Sequence, residues 1–302
     1  MKRDNIIIGS RGSKLAVIYA EKVKSKLSKF YSGKIEIKKI TTTGDQNQSE
    51  RLSSMGGKGL FSTNIENELL ENKIDIAVHA LKDMPSFDTK GLLTNCYLKR
   101  NSPNEILISK DIKFKDLNNG SVIGTSSFRR EFQLKNIRAD LVYKLIRGNV
   151  DTRIKKLENN EYDAIILSKA GIESLNLQNK ITDEFEVTKL VPCAGQGIIA
   201  IQCNENNQDI LRLIEKINDT QTRIIANTER EVLRILEGDC DTAVGVFASI
   251  KKDKIELTAE LFSVDGKKRF FMSDNENIEN HIVLAKRIAE DLKKQSKGSY
   301  KG

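Results

Sequence analysis

Tryptophan is absent from the 302-residue chain, proline occurs 3 times, histidine twice, and aromatic residues make up 6% of the whole. So few aromatics remove the stacking platforms on which nucleic acid strands are held, and no helix-turn-helix, zinc-finger or RNA-recognition signature is present. Cys96, Cys193, Cys203 and Cys240 form no C-x-x-C pair, and with only His79 and His281 beside them neither a Cys/His zinc site nor a disulfide scaffold is supported. No apolar run approaches the roughly 18 residues a membrane span needs. Behind Lys2 and Arg3, the run Ile6-Ile7-Ile8 stops at Gly9-Ser10-Arg11, too short for the apolar core of a signal peptide. A soluble, cytoplasmic protein is expected, monomeric and without a membrane or nucleic-acid partner.

What is present is a globular balance of 38% hydrophobic and 30% charged residues. At roughly 150 residues per domain, the length suits two domains or three small ones. The net charge of +8 fits a nucleic acid or an acidic small molecule equally, so the placement of the arginines has to decide.

Residues 6–10 read as a buried strand feeding a helix whose apolar positions Leu15, Tyr19, Val23 and Leu27 recur every fourth residue. A strand at 35–41 follows, then a helix at 62–71 opened by a capping box of Thr63 and Glu66, then a strand at 74–80. The pattern recurs with a strand at 122–127, a helix, a strand at 141–146, a helix at 149–157 and a strand at 163–167. This is an α/β chain of two similar units with a cleft between them and a parallel or mixed sheet in each. Gly195-Gln196-Gly197 leads into one more strand, which crosses back to the first unit as a hinge. After residue 218 come a long helix at 220–236, strands at 243–250 and 255–263, a turn at Asp265-Gly266, another strand and a helix through Leu284, Ile288 and Leu292: a small α+β domain. The expected domains are 1–98 with 198–217, then 102–192, then 219–302, with a frayed tail after Lys293.

Residues 42–61 lack periodicity, and Gly44, Gly56, Gly57 and Gly59 surround Lys58. Such a segment is either an ordinary loop or a mobile lid whose N–H groups and Lys58 meet an anion; no Walker A pattern can be written there. Cations cluster at strand ends and helix starts: Arg11 with Ser13, Lys82, Arg129-Arg130 after Thr125-Ser126-Ser127, and Arg147 with Arg153. Ligands of open α/β sheets bind at those ends, and arginine suits carboxylates, so a small polycarboxylate is the better-fitting ligand. Asp83, just past a strand and before Pro85, is either the counter-ion of these cations or a carboxylate that moves protons and stabilises a cationic intermediate. His79, in an apolar strand, reads as a hydrogen-bonded core residue. Cys240 lies between helix and strand, accessible to modification, yet Asp239 and Asp241 disfavour a thiolate there.

Taken together, Met55-Gly56-Gly57-Lys58-Gly59-Leu60-Phe61, the segment from His79 to Pro85, Gly124-Thr125-Ser126-Ser127-Phe128-Arg129-Arg130, Arg147-Gly148-Asn149-Val150-Asp151-Thr152-Arg153, Gly195-Gln196-Gly197 and Leu236-Glu237-Gly238-Asp239-Cys240 resemble the hydroxymethylbilane synthase (porphobilinogen deaminase) family, in that family's order. The resemblance implies three domains, the first two of the type II periplasmic-binding-protein kind. It implies a transferase of tetrapyrrole (porphyrin and haem) biosynthesis that condenses four porphobilinogens head to tail, releases ammonia each time and hydrolyses the chain to hydroxymethylbilane. It also implies a dipyrromethane cofactor on Cys240 through a thioether and Asp83 as the catalytic carboxylate. Lys82, Thr125, Ser126, Ser127, Arg129 and Arg130 would hold the cofactor, and Arg11, Ser13, Lys58, Arg147 and Arg153 the substrate. The chain departs from the common pattern at Asp239, Ala80, Tyr19 and Ser174. A solute-binding or effector-sensing protein of the same two-domain fold is the alternative, though it leaves Cys240 without a purpose.

Overall fold

In the computed structural model, which describes residues 5–46, 59–238 and 242–301, the chain builds three sheets. The run of isoleucines forms β1 (Asn5–Arg11), and Ser13 then caps α1 (Lys14–Leu27) by accepting from the Ala16 N–H at 3.3 Å. That helix buries Tyr19, Ala20, Val23 and Leu27 against the sheet, as its four-residue spacing requires. The first pass continues through β2 (Lys34–Ile40), α2 (Thr43–Gln46), α3 (Thr63–Leu70), β3 (Ile76–Ala80) and β4 (Leu92–Tyr97). The second runs through β5 (Glu105–Ser109), β6 (Val122–Gly124), α4 (Phe128–Ile137), β7 (Val142–Lys144), α5 (Val150–Glu158), β8 (Ala164–Ser168), α6 (Lys169–Ser174) and β9 (Asp183–Phe185). β10 (Ile199–Asn204) and α7 (Gln208–Glu215) return to the first core. The chain ends with α8 (Thr220–Leu236), β11 (Val244–Lys251), β12 (Lys254–Phe262), β13 (Arg269–Asn277) and α9 (His281–Ser296).

The first two sheets share one plan, β2-β1-β3-β10-β4 and β7-β6-β8-β5-β9. In each, four of the five strands run in one direction and the fifth, β10 or β5, is antiparallel to both its neighbours. Connectivity is the cause: β5 enters the second sheet as the chain leaves the first, and β10 enters the first as the chain leaves the second. The doublet and its return strand are thus the α/β arrangement expected from the sequence, with mixed sheets. The two crossings touch, since the Asn101 N–H donates to the Gly197 oxygen at 2.8 Å. Gly197 takes φ +81°, and a Cβ there would lie 2.6 Å from the Asn101 oxygen, so the crossing demands glycine.

The third sheet, β11-β12-β13, packs its apolar face under α8 and α9. Glu229 on α8 is fully buried and ties this unit to both crossings: it accepts from Arg100 Nη1 at 2.6 Å, the Gly195 N–H at 2.7 Å and the Ala248 N–H at 2.8 Å.

Two local expectations are corrected. The N-cap of α3 is Ser62, and Glu66 does not turn back to form a capping box; its buried carboxylate accepts from Gln202 Nε2 at 2.9 Å, a long-range partner displacing the local one. Nor does the chain fray after Lys293: α9 runs to Ser296, and the buried Tyr300 donates its hydroxyl hydrogen to the Leu236 oxygen at 3.1 Å.

Candidate active site

Because β1 and β3 are neighbours, their carboxyl ends bring Arg11 beside the turn Leu81–Asp83. Arg11 Nη1 lies 3.7 Å from Asp83 Oδ2, and its guanidinium sits over the Phe61 ring, 4.0 Å from the centroid. Asp83 keeps 37% of its side chain exposed against 18% for Arg11, so the carboxylate stays reachable while its cation is largely covered. Both line a solvent-open pocket of about 420 Å³, with Ser13, Tyr19, His79 and Ala80.

Side chains of the first unit reach across the cleft to the second. Lys82 Nζ donates to Ser168 Oγ at 3.4 Å and Lys22 Nζ to Ser174 Oγ at 3.3 Å, and Ser174 lies close enough to the Tyr19 hydroxyl to act on its acidity. Burial pushes the Tyr19 phenol up to about 12, against the influence of Ser174 and with the Asp83 charge, so it faces the pocket neutral. Tyr19 and Ser174, two of the departures from the family pattern, are therefore neighbours across the cleft.

In the second unit, Thr125 Oγ1 accepts the Ser127 N–H at 3.2 Å, and Ser127 caps α4 by accepting the Arg130 N–H at 3.4 Å. The capped helix sends Arg129 and Arg130 inward onto Glu105 of β5, with contacts of 2.6 Å from Arg129 Nη2 and 2.7 Å from Arg130 Nη2. Arg129 also donates to the Val191 oxygen and to Gln133. Arg130 donates to the Ile166 oxygen at 3.1 Å, and its buried Nε has no hydrogen-bond partner among the described residues. Burial works to raise the Glu105 carboxyl, but Arg130 and Arg129 outweigh it and hold the group down at about 2.

Arg153 donates Nε–H to the Gly148 oxygen at 2.8 Å. Burial, then the charges of Arg130 and Arg147, pull it down to about 10, with Asp83 opposing. Arg147 is lowered by burial and by Arg11. These mutual effects place Arg11, Arg130, Arg147, Arg153 and Asp83 in one electrostatic neighbourhood with an excess of cations, which favours an anionic ligand.

Of the candidates read from the sequence, Arg11, Ser13, Lys82, Asp83, Thr125, Ser127, Arg130, Arg147 and Arg153 gather at the strand ends facing the cleft, with Ser126 in the turn between Thr125 and Ser127. Arg129 sits deeper, with 4% of its side chain exposed. Lys58 and Cys240 lie outside the described residues, as do the other residues of 47–58 and 239–241. Sequence reasoning missed Glu105, whose signal was an acid heading the apolar run Ile106-Leu107-Ile108. It also missed a buried chain behind the pocket: His79 Nε2 lies 3.2 Å from Gln202 Oε1, Gln202 donates to Glu66, and Ser62 and Thr89 donate to the same carboxylate. His79 is the hydrogen-bonded core residue its strand suggested. Among the described residues no group of three or more His, Cys, Asp or Glu side chains is placed to hold a metal ion, and no helix is long and apolar enough to cross a membrane.

Among solved structures, the chain is similar to the periplasmic VFT2 domain of Bordetella pertussis BvgS (13% identity, TM-score 0.44, covering 75% of this chain and 90% of that one). It is similar also to the methionine binding protein MetQ (12% identity, TM-score 0.43, covering 71% and 90%). The family model described as "Porphobilinogen deaminase, dipyromethane cofactor binding domain" matches residues 6–212, and that of the porphobilinogen deaminase C-terminal domain matches residues 224–294. Porphobilinogen deaminases of Bacillus cereus, Bacillus thuringiensis and Bacillus anthracis are each 44% identical over 265 residues, 86% of this chain and 86% of theirs. With both family models in register along the chain and identity of that level across most of its length, this chain belongs to the porphobilinogen deaminase family.

Proposed function

We propose that the chain is a hydroxymethylbilane synthase: a transferase that joins four porphobilinogen molecules head to tail, releases ammonia at each joining, and frees hydroxymethylbilane by hydrolysis. The observation that carries this reading is Asp83, a reachable carboxylate 3.7 Å from Arg11 on a pocket within a cleft rich in guanidiniums. Arg11 orients Asp83, which holds or yields a proton at its free oxygen and balances the cation left when ammonia departs. Each pyrrole unit brings two carboxylates. Arg147, Arg153, Lys82 and Arg130, with Arg129 behind it on Glu105, receive these groups together with Arg11, Ser13, Thr125, Ser126 and Ser127.

A dipyrromethane fits this lining: the buried Nε of Arg130 has a hydrogen to give, and the cations that depress Arg153 outnumber the acids among them. When bound, the group supplies the pyrrole primer to which substrate units are joined, and Cys240 is its attachment. Arg130, Lys82 and the Thr125-Ser126-Ser127 turn hold its carboxylates, while Lys58 meets those of the substrate. The domain division is 1–98 with 198–217, 102–192 and 219–302, and the enzyme works as a cytoplasmic monomer on a small molecule.

The test is Asp83→Asn, which keeps the shape and removes the charge. Ammonia release should fall by about 10²- to 10⁴-fold. Intact mass should still show an excess of two pyrrole units, mapped to Cys240 and lost in Cys240→Ala. Wild-type turnover by the Asn variant would reject the assignment of Asp83, and a still-loaded Cys240→Ala would move the attachment elsewhere.

A further inference from the structure

We propose that His79 is a fixed hydrogen-bond acceptor of the active site, presenting the unprotonated Nδ1 of a neutral imidazole to an N–H group of the substrate. The proposal deepens the deaminase reading and rests on it. Its physical basis starts away from the pocket, at Glu66 on α3. That buried carboxylate accepts three hydrogen bonds, from Ser62 Oγ at 3.3 Å, Thr89 Oγ1 at 3.0 Å and Gln202 Nε2 at 2.9 Å. A carboxylate has no proton to offer, so Gln202 meets it through the amide nitrogen and turns Oε1 toward His79. An amide oxygen only accepts. The ring proton of His79 therefore sits on Nε2, 3.2 Å from that oxygen, and the neutral ring keeps a lone pair on Nδ1.

Topology makes the arrangement rigid. β10 is antiparallel to β3 with Ala200 opposite His79 and Gln202 opposite Ala77, so His79 and Gln202 share one face of the sheet as a diagonal pair. α3 covers that face through Ile65 and Leu69, which pack with Ala77, and brings Glu66 over Gln202. The hydrogen-bond contact of the ring is the one at Nε2, and His79 is among the residues that line the pocket with Asp83 and Arg11. Burial holds the ring neutral, down at about 4, although the Glu66 charge, the Gln202 bond and the Asp83 charge all work the other way.

A porphobilinogen unit carries two kinds of N–H donor, the pyrrole nitrogen and the aminomethyl ammonium. A neutral imidazole accepts from either, whereas an imidazolium would repel the second and offer nothing to the first. Asp83 supplies charge and His79 supplies direction, so the two acceptors together fix how the reacting end of the substrate lies.

The experiment uses the cofactor-loaded protein labelled with ¹⁵N-histidine. The chain has only two imidazoles, and His281→Gln leaves one to assign. At pH 7 the His79 signals should report a protonated Nε2 and a bare Nδ1; a protonated Nδ1 overturns the proposal, whether or not the protein turns over porphobilinogen. Two variants carry the kinetics. His79→Gln places an amide near the Nε2 position and loses the Nδ1 acceptor, while His79→Asn places an amide oxygen near Nδ1. The first should lower kcat/KM by about 10- to 100-fold, the range for a hydrogen bond to a charged group, and the second should recover most of that loss. Equal losses in both, or none in either, overturn the proposal, and if neither variant folds the wild-type tautomer decides. A porphobilinogen analogue with a methoxy group in place of the amine, which has no hydrogen to donate, then names the donor. A His79→Gln defect that vanishes with the analogue assigns the ammonium, and one that persists assigns the pyrrole N–H.

Discussion

Glu105 is the residue whose loss the structure prices most directly. Glu105→Gln keeps the volume and one acceptor oxygen but removes the charge that two guanidiniums share. Those guanidiniums are 4% and 8% exposed and contact the carboxylate at 2.6 and 2.7 Å. Breaking a buried ion pair from one side costs about 3–5 kcal/mol, because the stranded charge stays desolvated. Here two cations are stranded, which pushes toward the upper figure; the bonds of Arg129 to Val191 and Gln133 push back. At a slope of about 3 kcal/mol per M of urea, a loss of that size lowers the unfolding midpoint by about 1–2 M. The assay is urea unfolding by circular dichroism beside Glu158→Gln, which breaks an exposed pair with Lys180 and should cost under about 1 kcal/mol. Acidity gives the sign. The folded carboxyl titrates near 2 against an ordinary 4.5, so its stabilisation is complete above about 4.5 and lost as pH falls toward 2. The gap between wild type and variant should be constant above pH 5 and close toward pH 2. A gap under about 1 kcal/mol, or one that widens in acid, would refute the reasoning.

Three further outcomes follow from the geometry. His79 is held neutral down to about 4 while an ordinary imidazole protonates near 6.5, so the unfolded chain takes the proton first; stability should drop by about 3 kcal/mol between pH 6.5 and 4, and a pH–Tm profile unchanged by His79→Gln contradicts this. Ser174→Ala deletes the bond from Lys22 that joins α1 to α6, an exposed contact worth under about 1 kcal/mol; amide exchange in residues 169–174 should quicken, and unaltered exchange there denies the link a role. Arg153→Gln should raise KM for porphobilinogen about tenfold or more with a smaller effect on kcat if, as proposed, its charge holds substrate carboxylates and does not act at the reacting atoms; a purely kcat effect would speak against that.

How much was legible in advance differs by residue. The helix at 220–236 was readable to its ends because its signals are local: Asp219 accepts from the Thr222 N–H at its start, and Gly238 follows the left-handed Glu237 that caps its end. The cations and Asp83 were readable because they stand where strands end. β4, β5 and β9 were not. β5, for instance, is buried on both faces and shows no alternation, and its place between β8 and β9 depends on strands distant in the chain. Thr63 and Glu66 have the spacing of a capping box, yet Gln202 claimed the carboxylate, since a buried acid gains more from a buried donor than from a solvated cap.

The strands and helices with local signals, the doubling of the α/β unit and the residue types of the cleft were thus determined by the sequence alone, because period, caps and breakers act over a few residues. Which charges meet was decided by the tertiary structure. Glu105 reaches Arg129 and Arg130, Lys22 reaches Ser174, Lys82 reaches Ser168, and His79 is oriented by Glu66 through Gln202, only because each sheet receives a strand from the other crossing and the two units close on each other. No local preference encodes such pairs. They exist where burial makes an unpaired polar group too costly, and burial is a property of the assembled fold.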